Sequence, residues 1–182
     1  MGSLATMKLT SKGLGDVPMN IQKNVLLLLV AVSCSWALAS QVAVDVQLSP
    51  AGSFKAETGK ISGTAYKTAD GVEAENVIID ATTLATGVSL RDKHLKERLL
   101  AEKFPQIKLV KAVGKNGQGR GEMEIMGLKK LVLGTYTIEG DRLKAKFKIK
   151  LSDLDIKGVR YMGVGVKDEV VVNVDLPVKA KK

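Results

Sequence analysis

The stretch Arg142-Leu143-Lys144-Ala145-Lys146-Phe147-Lys148-Ile149-Lys150-Leu151 decides the fold class. Leu143, Ala145, Phe147, Ile149 and Leu151 face one way; Arg142, Lys144, Lys146, Lys148 and Lys150 face the other. Alternation with a period of two sends one row of side chains into a core and the other into water, the pattern of a half-buried β-strand. A helix would scatter the same lysines around its circumference. Lysines on the wet side also oppose edge-to-edge pairing with other chains.

The same reading extends in both directions. Val42, Val44, Val46 and Leu48 alternate with Ala43, Asp45 and Gln47. Further strands are predicted over 60–67, 75–84, 106–113, 121–126, 128–138 and 169–176, with Ile107, Leu109 and Lys111 on one alternation and 153–156 as a brief continuation of the lysine strand. Ala69-Asp70-Gly71, Asn116-Gly117 and Glu139-Gly140-Asp141 supply the turns, Asp-Gly and Asn-Gly being hairpin markers. Pro177 marks the edge or end of the last strand. The period changes once. Ser89-Leu90-Arg91-Asp92 has the form of a capping box, and Leu90, His94, Leu95, Leu99 and Leu100 follow at helical spacing. One short amphipathic helix is predicted from Leu90 to Glu102, ending before Phe104-Pro105. The result is an all-β domain of about eight antiparallel strands, a barrel or a sandwich, with one helix between the third and fourth strands. An eight-stranded barrel has an interior that side chains fill or that holds one small ligand.

Residues 1–39 read differently. Lys23 precedes an uncharged stretch over 25–39 that opens Val25-Leu26-Leu27-Leu28-Leu29-Val30 and closes on Ala37-Leu38-Ala39. A basic flank, an apolar run and small residues before a cut make a secretory signal peptide, here cleaved between Ala39 and Ser40. Met19 opens a leader of ordinary length, so residues before it read as an over-long start. The alternatives are a membrane anchor, which needs roughly 20 mostly apolar residues, a core helix, or lipidation at Cys34. Residues 40–182 then form the mature domain. Cys34 is the single cysteine, so that domain has none and gains nothing from disulfides. Its stability comes from packing.

The chain carries 28 Lys and Arg against 19 Asp and Glu, with aromatics at 4%. The lysine row over Lys144, Lys146, Lys148 and Lys150 reads as a solvated face, or as a surface attracted to anionic lipid. Nucleic-acid binding would want interleaved aromatics, which this face lacks. Catalysis finds little to work with. His94 is the one histidine, Asp92 is two residues away and would point elsewhere on a helix, and no Gly-x-Ser-x-Gly motif exists. One histidine does not make a zinc site. No catalytic or metal-binding residue is therefore assigned.

Thr86-Gly87-Val88-Ser89-Leu90-Arg91-Asp92-Lys93-His94-Leu95, with Phe104-Pro105-Gln106-Ile107 after it, resembles the YceI-like family of bacterial exported proteins. Tyr161-Met162-Gly163-Val164-Gly165-Val166-Lys167-Asp168-Glu169-Val170 is similar to that family's last hairpin, and Gly52-Ser53-Phe54 and residues 57–63 to its Gly-rich leads into strands. The family's first strand carries an aspartate, a His-Ser pair and an aromatic; here Val42 to Leu48 offers only Asp45. The resemblance implies an eight-stranded antiparallel lipocalin-like barrel. It implies a periplasmic, non-enzymatic carrier or store, whose elongated apolar cavity holds an isoprenoid quinone, a polyprenyl chain or a fatty chain.

On that reading Phe54, Leu109, Leu133, Phe147 and Ile149 line the cavity, together with Ile125. Leu90, Leu95, Leu99 and Phe104 close one end, and Arg91 and His94 meet the ligand's head group. The blander readings are a solid core, a helix start stabilised by Asp92, and a histidine packing on the rim. No cofactor is expected beyond a bound isoprenoid or fatty lipid. The expected partner is that lipid, with an anionic membrane surface or a second copy of the chain left open. The alternative function is a filled-barrel structural or stress protein that docks on membrane or a partner through its lysine face.

Overall fold

The computed structural model describes residues 39–161 and 163–181. Apart from Ala39, the expected leader, with Cys34, lies outside the described residues. The strands are β1 (Gln41–Ser49), β2 (Ser53–Thr58), β3 (Ile61–Lys67), β4 (Val72–Asp80), β5 (Gln106–Lys115), β6 (Gln118–Ile125), β7 (Leu128–Glu139), β8 (Arg142–Lys150), β9 (Arg160–Tyr161) and β10 (Val164–Ala180). Helix α1 (Ser89–Arg98) lies between β4 and β5. It follows the fourth strand, not the third, because an additional strand, β2, precedes the one expected over 60–67, the two being divided at Gly59-Lys60. Buried Thr58 holds that corner: its Oγ1 accepts from Lys60 N–H at 2.9 Å and lies 2.6 Å from Thr83 Oγ1.

The sheet closes on itself. From β3 the order runs β4, β5, β6, β7 and β8, and β8 pairs with β10, which pairs back to β3. The ring thus has seven strands, not the eight expected, with β1 and β2 attached outside it. The cause is the length of β10, 17 residues, which serves two partners in succession along one side. Its pairing with β1 runs to Asp175, and its parallel pairing with β3 begins at Val178. Pro177 sits in the gap between them. Val178 N–H donates to Asp141 on the β8 side at 2.7 Å, so the nitrogen of Pro177 faces the other side, where no ladder bond is lost. Pro177 therefore does not end the strand.

Register sorts the side chains. In the β8–β10 ladder Leu143, Ala145, Phe147 and Ile149 stand opposite Leu176, Val174, Val172 and Val170 on the inner face. Lys144, Lys146, Lys148 and Lys150 stand on the outer face opposite Asp175, Asn173, Val171 and Glu169. The lysine row is thus answered by a partly acidic row, and Lys148 pairs with Glu169 at 2.8 Å. β5 departs from the simple alternation. A shift in register between Leu109 and Lys111 leaves Val110 as an extra residue, so Leu109 and Ala112 both face inward and Lys111 faces out beside Glu122. The brief continuation of β8 expected over 153–156 does not form: Leu151–Leu154 is a 3-10 turn that buries Leu154.

The core is built from Val, Leu and Ala with small residues where strands crowd. At Gly134, a Cβ would come within 2.3 Å of the Lys146 carbonyl oxygen and 2.7 Å of Phe147 Cβ. Leu176 and Val42 are among the largest fully buried side chains. Arg142 ties three segments together: its Nε donates to Asp175 at 2.7 Å and its guanidinium to the Ala39 carbonyl at 3.1 Å.

Two consequences are measurable. Leu176→Ala should destabilise the domain by about 2–5 kcal/mol in denaturant unfolding, because it opens a cavity in the strand that closes the ring. Gly134→Ala should cost about 1–3 kcal/mol, because backbone on β8 blocks the new methyl group. Unchanged midpoints in either variant would contradict this packing.

Candidate functional site

The barrel interior is apolar throughout its middle. Val44, Ile61, Ile107, Leu109, Phe147, Ile149 and Val174 all face inward and pack on the buried clusters, yet each is only half-buried. Side chains in the centre of a filled core are normally lost to solvent altogether. Thr58 is the buried polar residue among those described, and its hydroxyl is hydrogen-bonded. The interior thus presents mostly hydrocarbon, with the ring of Tyr136 facing inward opposite Ala145.

One end is closed by the connections. Leu154 and Ile156, just after β8, are buried with Met123, Ile125 and Val132, and Leu99 from the end of α1 packs on the same cluster. Phe104 lies against the turn after β6, where a Cβ on Gly127 would be 3.1 Å from its ring. At the start of β2, Phe54 stands opposite Val46 on the inner face, and the Arg91 guanidinium lies 4.5 Å from the centre of its ring. The segment before α1 returns to the free edge of β2, where Glu57 and Ala85 exchange backbone hydrogen bonds of 2.8 and 3.0 Å.

The expected site residues therefore separate. Phe54, Arg91, Leu95, Leu99, Phe104, Leu109, Phe147 and Ile149 are half-buried along the interior or its helix-covered end. Ile125 is buried in the end cluster. Leu90 is 54% exposed, and His94 is also exposed on α1, so both side chains face solvent and not the barrel interior. Leu133 is the clearest correction. It stands opposite Arg120 on the outer face of β7 and is 66% exposed, because its neighbour Val132 takes the inward position. The sequence reading passed over Val44, Ile61, Ile107 and Val174, although the alternation Val42, Val44, Val46 already put Val44 inside.

The helix start also differs from the capping box. Val88 is the N-cap and makes no side-chain cap bond. Asp92 instead reaches back to Thr86, accepting from its hydroxyl and its N–H at 2.6 Å each. Those bonds, the hydroxyl first, hold the Asp92 carboxyl below its usual pKa, with Lys96 and Arg91 adding to the effect. The helix ends at Arg98, not Glu102, because Leu100 takes positive φ (48°) and Ala101 turns into the core. Among the described residues, no group of three or more His, Cys, Asp and Glu is placed to hold a metal.

Because the folded-state pKa of Asp92 is depressed, its contribution is complete above the ordinary carboxylate pKa and is lost as pH falls through the folded value. The protection of the Thr86 amide, taken relative to its intrinsic exchange rate at each pH, should therefore be high near neutrality and fall only in acid. Asp92→Asn, a weaker neutral acceptor, should lower it at neutral pH; equal protection in the variant would remove Asp92 from this role.

Residues 37–178 match the model of the YceI-like domain. BcnA of Burkholderia cenocepacia has a similar fold, with a TM-score of 0.56 and 17% identity over 75% of this chain and 94% of that one. A polyisoprenoid binding domain from Saccharophagus degradans, implicated in plant cell wall breakdown, gives a TM-score of 0.50 and 14% identity over 75% of this chain and 91% of that one. No curated protein matches. The barrel, the helix over one end and the family match across nearly the whole described domain lead to one conclusion: the chain belongs to the YceI-like family.

Proposed function

We propose that this chain is an exported periplasmic carrier or store for a long-chain amphiphile, an isoprenoid quinone, a polyprenyl or a fatty chain, held inside the barrel. The observation that carries the reading is the half-burial of inward-facing Val44, Ile61, Ile107, Leu109, Phe147, Ile149 and Val174. An apolar chain among them would take their remaining surface out of water, worth about 25 cal/mol per Å². The largely aliphatic lining suits hydrocarbon. The polyisoprenoid binding described for the Saccharophagus degradans domain supports the same class of ligand. Export is supported by Lys23, the apolar run over 25–39 and the Ala37-Leu38-Ala39 site.

In this reading Arg91 lies where an apolar chain would end. It rests on Phe54 and, in the first turn of α1, can meet a polar or anionic head group while the tail runs inward. His94 is left without that role by its exposure.

Native mass spectrometry with organic extraction, on protein recovered from the periplasm without detergent, should reveal a retained long-chain species. A bare mass that stays bare after incubation with quinones and fatty acids would instead point to a filled barrel. Ala145→Phe adds a ring on the inner face opposite Val174 and should lower the retained lipid several-fold, whereas Lys146→Ala on the outer face should leave it unchanged. Stripping the lipid should lower the melting temperature, since a ligand bound only by the folded state stabilises it.

A further inference from the structure

We propose that the outer face of β7 docks on an anionic lipid bilayer through Leu131 and Leu133. Both leucines point away from the barrel, and at 73% and 66% exposure they are the most exposed large apolar residues described. They lie two apart on one strand, on the same face, so both tips project together. They are held rigidly, because β7 pairs with β6 along this stretch: Leu131 stands opposite Glu122 and Leu133 opposite Arg120.

The charge around them identifies the occupant. Arg120 flanks Leu133 on β6, and Lys146 on β8 is opposite Thr135, the next outward residue along β7. Neither takes part in an ion pair among the described residues. Lys129 and Lys148 stand farther out, each with a carboxylate, at 3.3 Å and 2.8 Å. Glu122, opposite Leu131, is paired with Lys129. Two projecting leucines with the unpaired cations on the Leu133 side suit an interface in which the apolar tips enter the acyl boundary and the cations stay with lipid phosphates. The lysine row alone is a weaker candidate, because Lys144 and Lys148 are already paired with Glu139 and Glu169.

The docking face also adjoins the end of the β7–β8 ladder. The β7–β8 ladder runs from Glu139 and Arg142 to Gly134 and Phe147 and stops there. Leu131 and Leu133 lie just beyond its last pair, and buried Leu154 and Ile156 pack with Val132 from this same stretch of β7. Docking here would bring that seam to the bilayer, where an apolar chain could pass sideways. Only this last step rests on the lipid-carrier reading; the docking itself does not.

The test is co-sedimentation with vesicles of phosphatidylcholine alone or of equal parts phosphatidylcholine and phosphatidylglycerol, using protein recovered from cells expressing the whole chain. Binding should require the anionic lipid and weaken as salt rises. Leu131→Gln with Leu133→Gln should reduce it by roughly tenfold or more, as should Arg120→Glu with Lys146→Glu, without changing circular dichroism or the unfolding midpoint. The lipid mass retained in the same preparations reports on the interior separately, so an empty barrel that still docks upholds this proposal. Wild-type protein that binds neither vesicle, a leucine variant that binds as well as wild type, or a leucine-dependent dimer formed without vesicles would overturn it.

Discussion

The strand β10 is bonded to β8 along one side and to β1 and then β3 along the other, and closure of the barrel depends on that sharing. Antiparallel sheets that do not close leave edges to be managed, and this domain closes its ring by sharing one long strand between β8 and β3. The arrangement fixes the rest. Because β10 parts from β1 at Asp175 and meets β3 at Val178, the β1–β2 hairpin cannot enter the ring and must lie beside it. Its free edge then meets the connection before α1 through the Glu57–Ala85 pair, which sets the helix over the end of the barrel near Phe54. Arg142, bonded to Asp175 and to the carbonyl of Ala39, fastens the same junction from the β8 side.

Inner and outer faces then follow from period alone. Each inward position on β8 meets an inward valine or leucine on β10, and each outward lysine meets Glu169, Val171, Asn173 or Asp175. What looks in sequence like a naked cationic row is thus partly neutralised by a strand far along the chain. Exposed ion pairs of this kind add little stability. Their effect is on the surface: among the described residues, Arg120 and Lys146 remain as cations without a carboxylate partner near the two exposed leucines.

Much of this was legible in the sequence, for a physical reason. Alternation along 142–151 is a local signal, and it survived because β8 is paired on both sides without a bulge over most of its length. The likeness around Arg91 to Leu95 gave the family and the helix. Errors arose where the fold imposes something non-local. Simple alternation puts Lys111 on the same face as Ile107 and Leu109, because nothing in the local pattern announces the extra residue at Val110. Leu133 was assigned to the cavity because it is apolar, although Val132, also apolar, competes for the inward position and only the pairing with β6 decides between them. Proline forfeits a ladder bond and so signals the edge or end of a strand, and only the change of partner from β1 to β3 shows that β10 runs on past Pro177 where no bond was available. The interior's half-burial was not readable at all, since periodicity says which side chains point in and nothing about how completely they fill the space.

The two proposals draw on opposite faces of one strand, and that gives them a common logic. On β7, Val132 is buried in the end cluster while Leu131 and Leu133 project outward. Apolar residues on both faces of a strand are expected where both faces are covered. Here the inner face is covered by the barrel and the outer face, among the described residues, by nothing. A carrier of long hydrocarbon chains has to exchange them with a bilayer, because such chains are scarcely soluble in water. An outward apolar pair set beside the seam between β7 and β8, with cations around it, is where that exchange would cost least, since the chain would move from membrane to barrel without crossing water.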